Sequence, residues 1–259
     1  MRDVNVVMAV ASRDFIKFLR DRPRLIFSFV SPIIFVGLMG GTLQGNLGRA
    51  AGFNFIGFIF TGVLGLTLFQ SAAQGLMSIL QDRESDFSQE MFISPISRYS
   101  IIFGKIVGET AVAFTQALPM VLFAALLRVP LSGGQLLALI PAALLASLLG
   151  GAFGVAAISA FSNQRAANQI FPFLIFPQFF LAGIFNPIQV LPWYLEFASR
   201  ISPMRYAVDL IRGVVYSGRP EYSRVVLFDP LTNLIVIVAM FVVFLAIGTG
   251  LFIRNETNR

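Results

Sequence analysis

Six apolar stretches recur along the chain, at 25–43, 53–80, 101–127, 136–161, 166–184 and 231–253, separated by shorter polar or charged segments. Each comes close to or exceeds the ~20 residues an α-helix needs to cross the ~30 Å hydrocarbon layer of a bilayer, so six transmembrane helices are expected. Pro119, Pro141, Pro172 and Pro177 fall inside these stretches, which predicts tilted or broken spans. Residues 1–23 follow another pattern: Val4, Val7, Met8, Ala11, Phe15 and Phe18 recur at helical spacing, while Arg13, Lys17 and Arg20 occupy a second face. That pattern predicts an amphipathic helix on the inner membrane surface, its basic face toward anionic lipid headgroups. With no internal repeat and no low-complexity linker, residues 1–259 read as a single domain, an all-α membrane protein.

Composition sharpens this reading. Apolar residues make up 56% of the chain and charged ones 12%, against roughly 45–50% and about 25% in soluble domains. Cysteine and histidine are both absent, which excludes disulfides, thiolate or imidazole metal sites and every triad that uses an imidazole base. No metal ligands and no catalytic residues are assigned, and the chain is read as a non-enzyme. No G-x-x-x-x-G-K-[ST] loop is present to cradle nucleotide phosphates, so ATP and its Mg ion are expected in another chain.

The net charge of +6 has a topological explanation. Arg2, Arg13, Lys17, Arg20, Arg22 and Arg24 precede the first stretch, Arg83, Arg98 and Lys105 lie between the second and third, Arg165 follows the fourth, and Arg254 and Arg259 close the chain. Basic residues collect on the cytoplasmic side of membrane proteins, so both termini are placed there and no nucleic-acid partner is inferred. The first stretch lacks a small-x-small cleavage site and is read as a span, not a leader.

Polar residues inside the spans are the candidates for chemistry. Gln70 and Gln74, at i, i+4 on the second span, and Gln178 on the fifth should face other helices, either lining a substrate path or bonding helix to helix. Lys105 and Glu109 share one face at the inner end of the third span, where snorkelling toward the interface is favoured over a proton relay. Asp209 and Arg212, at i, i+3, are expected to form a structural ion pair.

Residues 81–98 carry Asp82, Glu84, Asp86 and Glu90 beside an apolar edge of Phe87, Met91 and Phe92, a short helix ending at Pro95 with its acids in water and its edge toward a soluble partner. Arg83-Glu84, then Ser94-Pro95-Ile96-Ser97-Arg98, then Gly104-Lys105, resemble the cytoplasmic loop of ABC-2 type transporter permeases, although Asp86-Phe87 stand where the family commonly has Gly-Thr. A second match is more specific. Pro187, Leu191-Pro192-Trp193, Pro203, Tyr206, Asp209 and Arg212 resemble the signature that precedes the last span in that family, particularly in its daunorubicin and nodulation-factor exporter branch.

The resemblance implies an architecture and partners. Residues 81–100 would form a coupling helix docking on an ATPase subunit through Arg83, Glu84, Phe87, Glu90, Met91, Ser94, Pro95 and Arg98. Arg13, Lys17 and Arg20 would belong to the interfacial helix, and residues 186–230 to outer-side re-entrant helices. Two permease copies, a homodimer, would meet through spans one, two and five in the lipid of a prokaryotic inner membrane. The implied function is ATP-driven export of a hydrophobic or amphiphilic substrate. Export of a lipid-linked glycan or polysaccharide, and proton-coupled secondary transport, are the alternatives.

Overall fold

The computed structural model describes residues 2–84, 97–161 and 163–257, and among these the chain is helical without a β-strand. Helix α1 spans Arg2–Arg20. After Asp21, whose carboxylate accepts from Arg24 N at 3.1 Å, α2 covers Arg22–Phe35. Pro32 removes one ladder donor, and the helix continues through a π-turn at Val36–Gly40 into α3, Gly41–Ala51. Gly52, at φ 71°, ends this run in the left-handed region.

Asn54 caps α4, Phe55–Gly75, by accepting from Gly57 N at 3.1 Å. The chain breaks at Leu76 and Met77 before α5, Ser78–Glu84, so the stretch expected at 53–80 is two helices. Helix α6 is Arg98–Leu126. A reciprocal cap between Ser132 and Gln135 opens α7, Gly133–Ile158. Helix α8 is Gln164–Leu181, and after a 3-10 turn at Ile188–Val190 come α9, Trp193–Ile201, and α10, Pro203–Val215. A short α11, Tyr222–Val225, leads to α12, Pro230–Thr257.

Among the described residues, five helical segments are long and apolar enough to cross a membrane: Arg22–Gly48, Phe55–Asp82, Tyr99–Leu126, Gly133–Ile158 and Tyr222–Leu251. The remaining expected span, 166–184, corresponds to α8, whose 18 residues open on Gln164 and Arg165 and contain Asn168, Gln169, Pro172 and Pro177. Its polar first turns leave a shorter apolar stretch than the other five possess.

Helix α4 is the axis of the bundle. Protein buries 83% of its most apolar stretch but only 11% of the corresponding stretch in α2. Close approach depends on small residues, the usual basis of helix association in lipid. Gly150 and Gly154 of α7 lie against the backbone of Phe69 and Ala73 in α4, where a Cβ on either glycine would overlap a backbone oxygen. By contrast α12 turns Leu231, Ile235, Val242 and Ile247 outward, a surface that suits lipid.

Candidate functional site

Between α2, α4, α6 and α8 runs an open groove of about 510 Å³. Arg24, Ser28 and Ser31 of α2, Gln70, Ser71 and Gln74 of α4, and Gln116 of α6 line it, together with Thr67. Toward the Phe35 end, Val63, Leu66 and Phe179 replace these polar groups. The groove thus grades from polar near Arg24 and Gln74 to apolar near Phe35. The side-chain amides of Gln70 and Gln74 make no hydrogen bond to other described residues, so they are available to a ligand.

Gln178 does not join them. It is buried, and its Oε1 accepts from Ser202 Oγ at 3.2 Å and Met204 N at 3.4 Å, which ties α8 to the start of α10. Its place is between helices because α8 turns its other face, Phe173, Phe176 and Phe180, outward. The groove-lining residues that sequence reasoning missed are Arg24, Gln116 and the serines. Gln116, a lone amide inside an apolar span, was the available signal.

Where α4 gives way to α5, beside the N-terminal part of α6, lies a buried charge cluster. Lys105 Nζ stands 2.7 Å from Asp82 Oδ2, 2.9 Å from Asp14 Oδ2 and 2.9 Å from Ser78 Oγ. Arg13 donates to Asp82 Oδ1 at 2.8 Å, and Lys17 to Gln81 Oε1 at 3.4 Å. Two expectations are corrected here. Asp82 is not a wet acid of the 81–98 loop, because it is buried and paired with Arg13 of α1 and Lys105 of α6. Nor do Lys105 and Glu109 snorkel: both are buried, and Lys105 is paired to Asp14 and Asp82.

Helix α1 also presents a different stripe from the one expected. Ala11, Asp14 and Phe18 are its buried positions, packed on α6, where Gly104 and Gly108 let the α1 backbone approach. Val4 and Met8, assigned to the apolar face, are exposed together with Ile16 and Leu19. Asp14 sits on the inward stripe between Ala11 and Phe18, at spacings of three and four, which was the sequence signal for its buried role. Arg20 remains exposed, and with Arg13 and Lys17 it lines a shallow recess.

Residues 187–212 form a closely bonded unit. Pro187, Pro192 and Pro203 each stand at the start of a helical element, where a missing N–H costs nothing. Trp193 is exposed, and Leu191 is half-buried. Tyr206 Oη donates to Arg200 O at 2.8 Å and its ring stacks on Phe228. Hydrogen bonds from Arg200 hold the Glu196 carboxyl below its ordinary range. With 13 residues at about 1.5 Å each, α10 spans roughly 20 Å, too little to cross a bilayer.

Asp209 and Arg212 do not pair with each other. Asp209 accepts from Leu227 N at 2.8 Å, Phe228 N at 3.0 Å and Asn233 Nδ2 at 2.8 Å. Arg212 lies over the Phe58 ring at 3.8 Å and donates to Gly183 O at 3.0 Å and Thr61 Oγ1 at 3.3 Å. Neighbouring backbone and side-chain partners satisfy each charge, so the i, i+3 contact is not formed. Of the coupling-loop candidates, Phe87, Glu90, Met91, Ser94 and Pro95 lie outside the described residues. Arg83 and Glu84 end α5, and Arg98 opens α6.

The ABC-2 type transporter family model matches residues 5–216, a range that takes in most of α1, the groove and the bonded signature segment. The chain belongs to this family. Among curated relatives of this ABC-2 permease, "Putative transport permease ycf38" of Cyanophora paradoxa is 22% identical over 81% of this chain and 73% of its own length. Its counterpart in Porphyra purpurea is 22% identical over 83% of this chain and 75% of its own. "Probable multidrug ABC transporter permease YbhR" of Escherichia coli (strain K12) is 26% identical over 63% of this chain and 44% of its own length. This ABC-2 chain is therefore a multi-pass membrane transport permease and not itself an enzyme.

Proposed function

We propose that this permease moves a hydrophobic or amphiphilic molecule outward across the cytoplasmic membrane, with ATP hydrolysed in a separate subunit. The groove carries this reading: a path that is polar near Arg24, Gln74 and Gln116 and apolar near Phe35, Val63 and Leu66 matches a molecule with one polar end. The name of the E. coli relative, a multidrug permease, supports the same substrate class.

Two copies of the chain would bury faces that one copy leaves open. The outward side chains of α2, Phe27, Val30, Ile34 and Leu38, and those of α8, Phe173 and Phe176, supply such a surface beside the groove. Lipid would meet Val4, Met8 and Leu19 of α1. An ATPase subunit would dock from below on residues 81–98 and on α1. Its ATP-driven closure would reach the bundle through the Lys105 cluster, because Asp82, Asp14 and Lys105 bind α5, α1 and α6 to one another. Coupling of this kind requires that the partner bind the two states of the permease with different affinity.

The test is reconstitution of the permease with its ATPase in vesicles, assayed for ATP-dependent uptake across a panel of amphiphilic drugs and lipids. Movement of at least one amphiphile toward the side opposite the ATPase is expected. Uptake of none of them, or ATP hydrolysis by the permease alone, would overturn the reading. Replacing Glu84 and Glu90 by lysine is expected to abolish substrate-stimulated hydrolysis while membrane insertion persists.

A further inference from the structure

We infer that Glu109, buried behind Arg24 where that arginine lines the polar end of the groove, selects for cationic amphiphiles: a protonated amine on the substrate takes the place of Arg24 as partner of that carboxylate. The inference rests on the groove being the substrate path. Glu109 is 3% exposed, and its Oε2 has no hydrogen-bond partner. The cation facing it, Arg24 Nη2, is 4.0 Å away, beyond hydrogen-bond reach. A buried carboxylate without a donor is costly, and a ligand N–H would relieve that cost.

The surroundings are arranged for such a donor. Gly75 makes the room, since a Cβ there would overlap the Glu109 carboxyl, and its neighbour Gln74 lines the groove. Arg24 also lines the groove, but its side chain is 43% exposed on the least buried span, so it can turn into water when displaced. Lys105, one turn from Glu109, is committed to Asp14 and Asp82 and does not compete. Phe27, Phe35 and Phe179 offer aromatic and apolar surface to the rest of the molecule. A neutral head that displaced Arg24 would leave Oε2 without a charged partner, and an anionic head would have to approach Glu109 against like charge.

The test uses the reconstituted permease and ATPase complex with two dyes: rhodamine 6G, an amphiphilic cation carrying N–H donors, and Nile red, a neutral amphiphile. The readout is the dye concentration giving half-maximal stimulation of ATP hydrolysis. Glu109→Gln is expected to raise that concentration at least tenfold for rhodamine 6G and to leave it within twofold for Nile red. Arg24→Gln, which removes the competing cation, is expected to lower it severalfold for rhodamine 6G alone. Equal shifts for both dyes, or none for either, overturn the inference. Should Glu109→Gln fail to insert, an unchanged rhodamine 6G response in Arg24→Gln is sufficient to overturn it. A wild-type complex that answers Nile red but not rhodamine 6G sinks this inference and leaves the substrate path standing; one that answers no amphiphile sinks both.

Discussion

Lys105 Nζ lies 2.7 Å from Asp82 Oδ2, and this contact closes the helix break at Leu76 and Met77 against the start of α6. The same ammonium holds Asp14 of α1 at 2.9 Å, so one buried cation ties three elements together. Removing one partner of a buried ion pair strands the others, at about 3–5 kcal/mol.

Lys105→Met is therefore expected to destabilise the permease by about that amount, read as a lowered melting midpoint in detergent. Adding Asp82→Asn to it is expected to recover part of the loss, since one stranded carboxylate disappears. A Lys105→Met protein that melts with wild type would show that the cluster holds nothing together.

Asp209 fastens the segment before α12 by accepting from two backbone amides, Leu227 N and Phe228 N. Asp209→Ala leaves both donors unpaired, at about 1–3 kcal/mol each. Hydrogen exchange of these two amides is expected to accelerate at least tenfold while α4 amides keep their protection. Unchanged exchange at Leu227 and Phe228 would contradict the assignment.

Arg212 combines a flat stack on Phe58 with donation to Gly183 O and Thr61 Oγ1. A lysine keeps the charge but not the plane or the fork. Arg212→Lys is accordingly expected to melt well below wild type, by about 2 kcal/mol or more given that such bonds to charged groups are worth about 1.5–3 each. Full stability in the lysine variant would mean that charge alone matters there.

The α4 and α7 backbones meet at Gly150 and Gly154 with no space for a side chain. Gly154→Val is expected to cost about 1–3 kcal/mol or more through forced separation of the two helices. Monodisperse yield on size exclusion would fall severalfold; a normal yield and melt would place the helices further apart than described.

The Gln70 side chain bonds to no other described residue, so the fold does not need its amide. Gln70→Leu is expected to leave the melting midpoint within about 0.5 kcal/mol of wild type, as for substitutions away from packed features. The response of ATP hydrolysis to amphiphiles would change severalfold. A large melting shift would assign Gln70 to packing instead.

Much of the architecture was readable in the chain because lipid imposes simple requirements. Long apolar runs such as 101–127 and 136–161 had to become helices, since a bilayer offers no water to unpaired backbone groups. The proline-marked signature was equally legible, each proline at the start of a helical element. Local spacing failed where partners came from far along the sequence. Asp209 and Arg212 share a helix face, yet Asp209 turned to residues 227–233 and Arg212 to Phe58, Thr61 and Gly183.

By itself, then, the sequence determined that this protein lives in a membrane as a helical bundle, for the burial of apolar length depends only on composition along the chain. It also determined family membership, through motifs that survive as order and spacing. Tertiary structure alone decided which polar groups became structural and which stayed free. Gln178 and Gln70 are the same residue type in similar apolar surroundings; one is used up between α8 and α10, and the other faces a groove. Asp14, Asp82 and Lys105 became one cluster only because three helices converge. The physical reason is common to all of them: a buried charge or amide takes whichever partner packing brings within about 3 Å, and distance in space is not written in distance along the chain.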